Sequence, residues 1–532
     1  MYRTPIKIFV YDIIIKNGII IDGAGNDWIK GDIAIKDGII AKIGNLFYER
    51  ADENIDASKK IVCPGFVDIH SHSDYTALIY PTSDSKVMQG VTTEVVGNCG
   101  YSLAPLTKEN IDVFKEANIE EGFLINLLSW DWLTLDQYYA KVMEIGTSVN
   151  YVPLVGHNTI RIAVMGFEKR EPSDTELRKM VNMLENEMRS GYFGISTGLE
   201  YPPGSFSKTD ELVELSKIAS KYGGIYASHI RDEGPRVEEA VMEAIEIGKR
   251  ANIPVEISHI KVVGRENWYK ADVLLNLIHR ARNIGIEVNA DAYPYTALQT
   301  TPTILLPSWV MEGGIDMALQ RLKNKKLVDK IKKEMTLNVD EESSEIAIME
   351  YGGKTIKDLS NEWNMNVFET YLKLLLENKG KVRMIHHSMN EESVEKFITS
   401  PLISIGSDGM GTTPNYGPIG KFQHPREYGT FPRIISRFWR EKNILSLPEA
   451  IRKMTGLPAS KLRLKKRGLI KEDFYADIVI FDPEKILDTA TFTDPVKFPV
   501  GINYVIVNGK IVVKNGIHTG LKPGIVIKRL NK

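Results

Sequence analysis

Cysteine is almost absent: Cys63 and Cys99 are the only two among 532 residues. Two thiols close one bridge at most, which excludes a disulfide-stapled secreted scaffold. Excess charge of either sign is missing as well. Lys and Arg number 67 against 69 Asp and Glu, a formal net charge of −2. That balance leaves no basic surplus for phosphates and argues against a nucleic-acid partner. Long hydrophobic runs are also lacking. The most apolar stretches, Asp12–Ile21 and Gly501–Val513, are broken by polar residues or glycine well before the ~18 residues of a membrane span. No apolar leader ending in a small-residue cleavage site is read at the start, so a cytoplasmic location away from membranes is expected. Wholesale disorder is excluded by the 43% hydrophobic content.

What is present falls into three stretches. Residues 1–62 read as short Ile-rich strands, Tyr11–Lys16, Gly18–Ile21, Gly31–Lys36 and Gly38–Ile43, with Asn17-Gly18 and Asp37-Gly38 as hairpin turns. Residues 463–532 repeat the style in Ala476–Phe481, Val500–Val507 and Lys510–Lys514, with turns at Asn508-Gly509 and Asn515-Gly516. The two ends are expected to assemble into one small β-sandwich domain. Between them, residues 63–462 alternate short apolar runs with amphipathic helices. The runs are Val67–His70, Thr93–Val96, Tyr151–Val155, Phe193–Ser196, Ile225–Ala227, Val255–Ile257, Glu287–Ala290, Val382–Ile385 and Ile403–Ile405. Helices are expected at Asp174–Ser190, Thr209–Lys221, Pro235–Ala251 and Ala271–Ile284. About eight such units predict an α/β fold, a (β/α)₈ TIM-like barrel. A Lys-rich stretch at about residues 300–357, helical from Asp316 to Thr336, breaks the rhythm and reads as a helical insertion.

The chemistry-bearing residues sit at the ends of those runs. His70 and His72 close Pro64-Gly-Phe-Val-Asp-Ile-His-Ser-His, and a spacing of two along an extended chain aims both imidazoles at one metal. Cys99 follows the run Thr92–Val96, between Gly97 and Gly100 that bend the chain to present its sulfur, whereas Cys63 lies on the entering side of a strand and reads as packing. His229 and His259 end consecutive strands 30 residues apart, which places them side by side at the barrel face where sites form. Asp408, in Ser407-Asp-Gly409, ends a late strand. A carboxylate there deprotonates an attacking water and returns the proton to a leaving amine.

This constellation resembles the amidohydrolase superfamily, and in particular its D-aminoacylase (N-acyl-D-amino-acid deacylase) branch. The specific points are Gly97-Asn98-Cys99-Gly100, Ser196-Thr-Gly-Leu-Glu-Tyr-Pro-Pro-Gly204, His229-Ile-Arg-Asp-Glu233, Asp291-Ala-Tyr-Pro-Tyr295 and Gly429-Thr-Phe-Pro-Arg433. The likeness runs through most of the chain. Many amidohydrolases bridge two metals with a carboxylated lysine on strand four, but Tyr192–Tyr201 contains none, and the resemblance implies Cys99 as the bridging ligand. It further implies one tight Zn²⁺ on Cys99, His229 and His259, and a weaker second metal on His70, His72, Cys99 and Asp408. Carried over residue by residue, Tyr201 would hydrogen-bond the scissile carbonyl, while Lys261, Tyr293 and Arg426 would hold the substrate carboxylate.

The activity so implied is zinc-dependent hydrolysis of the linear amide of N-acyl-D-amino acids, with Asp408 as catalytic base and acid. A cyclic-amide hydrolase of the hydantoinase or dihydroorotase kind is disfavoured by the missing strand-four lysine. A non-catalytic scaffold on the same fold is disfavoured because all six metal-binding candidates are present. For the D-side-chain pocket, Val262 and Val263 point to an apolar lining and Arg265 to an acidic side chain. The thermophile-like richness in Lys, Ile and Glu bears on source rather than function.

Overall fold

A computed structural model describes residues 10–117, 122–335, 338–414 and 423–529. Its centre is a ring of eight parallel strands. In chain order these are Phe66–Asp68, Val91–Val96, Asn150–Pro153 continued by Val155–Gly156, Gly194–Gly198, Ile225–His229, Val255–Ile257, Val288–Ala292 and Ile403–Ile405. Each pairs with its neighbour in register. The ring closes between the first and last strands, where Ser71 bridges Gly409 in parallel. There Asp408 N donates to His70 O (2.8 Å) and His72 N to Gly409 O (2.9 Å).

Helices cover the ring because their apolar positions recur on one face. Asp174–Arg189 buries Met180, Leu184 and Met188, and starts at a reciprocal Ser173/Glu176 capping box. Thr209–Lys221, Val237–Ala251 and Ala271–Asn283 follow the same pattern. Among the described residues no helix is long and apolar enough to cross a membrane.

Both ends of the chain build a single nine-stranded sheet. Strand Ile61–Pro64 is its centre, antiparallel to Ile478–Phe481 on one side and parallel to Val10–Ile20 on the other. Cys63 lies opposite Val479 there, buried, and its thiol is pushed up by that burial. Beyond the sheet the chain straps back onto the barrel. Gly524 N donates to Thr147 O, Tyr151 N to Ile525 O, Ile527 N to Tyr151 O and Arg529 N to Gly191 O.

Three expectations need correction. Asn17-Gly18 is not a hairpin but a bulge inside one strand, Val10–Ile20, both halves of which pair with Ile29–Lys36. Asn17 takes φ 62°, and a Cβ on Gly18 would stand 2.6 Å from Val62 Cγ2. The local twist is therefore absorbed without reversing the chain. Val382–Ile385 is not a barrel strand. Met384–His386 is the centre of a separate antiparallel sheet, between Leu298–Thr300 and Ile346–Ile348, with Lys354–Thr355 at the edge. A strand buried on both faces reads as a continuous apolar run in either setting. The insertion thus extends beyond the 300–357 window and carries a sheet as well as helices. Its expected helix from Asp316 is two, Ile315–Lys323 and Lys325–Glu334, parted at Asn324, whose side chain caps Lys326 N; Thr336 lies outside the described residues.

Candidate active site

The mouth of the ring, at the C-terminal strand ends, gathers the residues singled out above. Gly97 and Gly100 take φ 75° and 80°, and a Cβ on Gly97 would come within 2.3 Å of Leu154 O. Only glycine makes this bend, which lifts Cys99 inward. The Cys99 sulfur lies 3.3 Å from both His70 Nε2 and His259 Nε2. Donor atoms of His70, His72, Cys99 and Asp408 fall within 4.8 Å of one another, as do those of Cys99, His229 and His259. Two donor sets therefore share one sulfur. Burial pushes the Cys99 thiol up, but His70 and His259 outweigh it and hold it well below the usual thiol range. The thiolate is the ligating form.

Thiolate, imidazole and carboxylate in this arrangement fit Zn²⁺ rather than Mg²⁺ or Ca²⁺. The buried Nδ1 of His229 has no protein hydrogen-bond partner among the described residues, as fits a nitrogen that ligates a metal.

Charged groups frame the donors. Asp408 Oδ1 is 3.2 Å from His72 Nε2 and Oδ2 is 2.7 Å from Arg426 Nη1. Burial favours the neutral acid, yet Arg426 and then His259 keep Asp408 well below the ordinary carboxylate range. Arg426 opens the helix Arg426–Arg433 and is 4% exposed. The stretch from Thr412 to Phe422 before it falls largely outside the described residues. Lys261 Nζ is 2.6 Å from Glu233 Oε1 and 2.7 Å from His259 Nδ1. Burial opposes its charge, but Glu233 holds it protonated. Lys261 and Arg426 both face the Tyr293 ring, at 5.7 and 4.9 Å from its centroid. The buried Tyr293 hydroxyl has no protein partner among the described residues. The Tyr201 ring packs on His229 (4.8 Å), and its hydroxyl pairs with Thr300 Oγ1 at 2.9 Å. Nine of the ten sequence candidates thus line one cavity of about 560 Å³, and the fully buried His70 joins them through the donor set it shares with His72, Cys99 and Asp408.

Three carboxylates escaped the sequence reading. Glu200 Oε2 and Glu233 Oε1 lie 3.3 and 4.0 Å from His229 Nε2, and Glu233 also lies 3.1 Å from His259 Nδ1. Asp291 Oδ1 accepts from His259 N (2.8 Å) and lies 3.4 Å from His70 Nδ1. Carboxylates so placed orient ligating imidazoles. Each stands inside a motif quoted above; the available signal was a place at the C-terminal end of a barrel strand for Glu200 and Asp291, and four residues after His229 for Glu233. Also unforeseen is Lys86, whose buried Nζ donates to Asp68 Oδ2 (2.9 Å), Ser407 Oγ (2.5 Å) and Gly409 O (3.0 Å). Of the side-chain-pocket candidates Val263 borders the cavity, whereas Val262 packs in the core and Arg265 stacks on Trp268. His157 pairs with Glu211 in the interior and His279 is exposed, outside the donor sets.

Barrel and donor set together define a hydrolase of the amidohydrolase class. Residues 372–513 match the amidohydrolase family. The chain is 33% identical over 519 residues to a D-aminoacylase of Alcaligenes xylosoxydans xylosoxydans, covering 98% of each. It is 34% identical to an N-acyl-D-aspartate deacylase of the same organism, covering 97% of this chain and 95% of that one. The N-acyl-D-glutamate deacylase of Bordetella bronchiseptica, solved with zinc and a phosphonate mimic of the tetrahedral intermediate, superposes with TM-score 0.83 at 31% identity, over 98% and 100% of the two chains. The chain belongs to the D-aminoacylase (N-acyl-D-amino-acid deacylase) family.

Proposed function

We propose that the protein hydrolyses the linear amide of N-acyl-D-amino acids to a carboxylate and a free D-amino acid. The observation that carries this reading is one buried cavity holding a metal-type donor set, the Asp408 carboxylate and two cations around Tyr293. Cys99, His229 and His259 are assigned to a tight zinc; His70, His72, Cys99 and Asp408 are assigned to a weaker second position. A zinc ion held by these residues would supply Lewis acidity, polarising the scissile carbonyl and lowering the pKa of bound water. The remaining work falls to side chains. Lys261, Tyr293 and Arg426 grip the α-carboxylate by charge-assisted hydrogen bonds. The Tyr201 hydroxyl leaves Thr300 to donate to the carbonyl oxygen as negative charge develops. Asp408 takes the proton of the attacking water and passes it to the departing amine nitrogen. A cytoplasmic setting, where thiols stay reduced, suits Cys99 in this role.

Fixing the carbonyl and the carboxylate leaves the side chain and the hydrogen on Cα in two distinct directions. The wrong enantiomer breaks a charge-assisted contact worth about 1.5–3 kcal/mol and misplaces the reacting carbon, about 10²-fold more. The names of the relatives support D. Matched N-acetyl-D- and N-acetyl-L-methionine, leucine, phenylalanine and glutamate are expected to differ by at least ~10³ in kcat/KM for the best side chain. Equal rates for both enantiomers across the panel would overturn the assignment.

A further inference from the structure

Arg426 can grip a carboxylate only if its guanidinium stands at one place, and the helix it opens does not set that place alone. Helix Arg426–Arg433 starts after Gln423-His-Pro, where Pro425 at φ −60° fixes the entry but offers no side-chain cap. The first amides of a helix need acceptors from outside it. Here two of them turn to His424: Arg426 N donates to its Nδ1 (3.1 Å) and Glu427 N to its carbonyl oxygen (3.1 Å). The His424 ring is fully buried, and its Nε2 lies 2.9 Å from Ala297 O. A backbone amide only donates and a carbonyl only accepts, so this imidazole is neutral and carries its proton on Nε2. Burial, with the Arg426 charge beside it, holds His424 well below the usual imidazole range, which leaves the Nδ1 lone pair to the amide.

The ring is in turn held from three sides. Ala297 and Gln299, whose Oε1 accepts from His424 N (3.1 Å), belong to the chain entering the insertion. Tyr295, just past the seventh barrel strand, meets the ring edge-on at 5.2 Å. Phe492, between Ile478–Phe481 and Ile502–Val507 of the terminal sheet, meets it edge-on at 5.0 Å. Turning this ring shifts the start of the helix. Arg426 then swings away from Asp408 Oδ2 and the Tyr293 ring, where its guanidinium now stands at 2.7 and 4.9 Å. From these contacts we propose, resting on the deacylase reading, that His424 is a positioning residue: its Nδ1 fixes the first turn of the helix and thereby the point at which Arg426 meets the substrate carboxylate. Loss of a charge-assisted contact weakens binding about tenfold or more, and an off-centre guanidinium forfeits part of that.

The test measures KM and kcat for N-acetyl-D-leucine with zinc-loaded wild type, Arg426→Ala, His424→Gln and His424→Asn. Gln reaches the Nε2 position and keeps a donor for Ala297 but offers nothing at Nδ1; Asn puts its amide oxygen where Nδ1 stood. His424→Gln is expected to raise KM at least about fivefold, towards the Arg426→Ala value, and His424→Asn to recover most of that loss. Loss of folded enzyme lowers kcat per chain and leaves KM alone, so a fall in kcat without a rise in KM overturns the positioning role. Equal KM in the two His424 variants, raised or not, overturns it as well and leaves the deacylase reading standing. An unchanged KM in Arg426→Ala removes Arg426 from the carboxylate and this inference with it. Absence of hydrolysis by the wild type overturns the deacylase reading and this inference together. One measurement needs no variant: spectra of isotope-labelled histidine in the wild type are expected to show the His424 imidazole as the Nε2–H tautomer, and a proton on Nδ1 overturns the contact.

Discussion

Cys99, His259 and Asp408 hold φ angles of 51°, 34° and 51°, a left-handed backbone that non-glycine side chains resist. Each costs on the order of 1–3 kcal/mol and persists because the strand ends around it fix the chain. The strain aims three different donors at a common point. On that basis Cys99→Ala is expected to lose most bound zinc while Cys63→Ala keeps it, as elemental analysis of purified protein will show; equal zinc contents would remove Cys99 from the site. Asp408→Ala leaves Cys99, His229 and His259 intact, so tight zinc is retained. Its kcat is expected to fall by about 10²–10⁴, the usual contribution of a positioned acid–base group; near-normal turnover would assign the proton transfer elsewhere. Histidines and a lone cysteine between glycines are rare enough to stand out in a sequence. Glu200, Glu233 and Asp291 do not stand out, because carboxylates abound and only the folded distances separate these from solvated ones.

Among the elements, the seam between the first and last barrel strands holds three of the four donors of one set: His70, His72 and Asp408. Lys86 secures it from beneath. All three protons of its ammonium are used, on Asp68 from the first strand and on Ser407 and Gly409 flanking Asp408. Asp68 Oδ1 in turn accepts from Ser407 N (2.8 Å) and His70 N (3.3 Å). Glu94 from the second strand also lies 3.6 Å from the ammonium, so removing the cation leaves the Asp68 and Glu94 carboxylates buried without it, a loss of about 3–5 kcal/mol. Lys86→Met is expected to lower Tm clearly, and Asp68→Asn in the same chain to restore part of it. An unchanged Tm in the single variant would show the seam is held otherwise. Strand type and order were readable from alternation and turn residues, as Asp37-Gly38 and Asn508-Gly509 illustrate with their hairpins. Whether a glycine pair reverses a chain or bulges it depends on the partner strand, which for Asn17-Gly18 lies across the sheet.

At the scale of the whole molecule, the chain crosses between the β-sheet domain and the barrel three times, at Pro64-Gly65, between Lys461 and Ile478, and after Leu521. Pro64-Gly65 leads straight from the central sheet strand into the first barrel strand, and the tail after Leu521 returns along the barrel. Four backbone hydrogen bonds fasten that tail, from Gly524, Ile527 and Arg529 and onto Ile525, each contributing about 0.5–1.5 kcal/mol. A chain ending at Leu521 is expected to unfold several degrees lower while binding the same zinc per chain, measured by calorimetry and metal analysis. Loss of zinc instead would mean that the tail shapes the mouth of the barrel from its far side. The barrel was legible from its recurring units, and the joint domain from the matching style of the two ends. The strap was not, since Pro523 to Arg529 lacks any period of its own and is ordered by the surface it meets.

The insertion leaves the barrel through Leu298–Thr300 and comes back through Met384–His386, and these two strands lie side by side, Leu298 opposite His386. Nearly ninety residues thus hang from a single doorway (residues 298–386). A cassette attached in this way can be exchanged for another of different length or lining without rethreading any barrel strand. What the enzyme admits is in this sense detachable from how it cuts. Grafting between relatives has a natural pair of splice points where the outgoing and incoming strands meet.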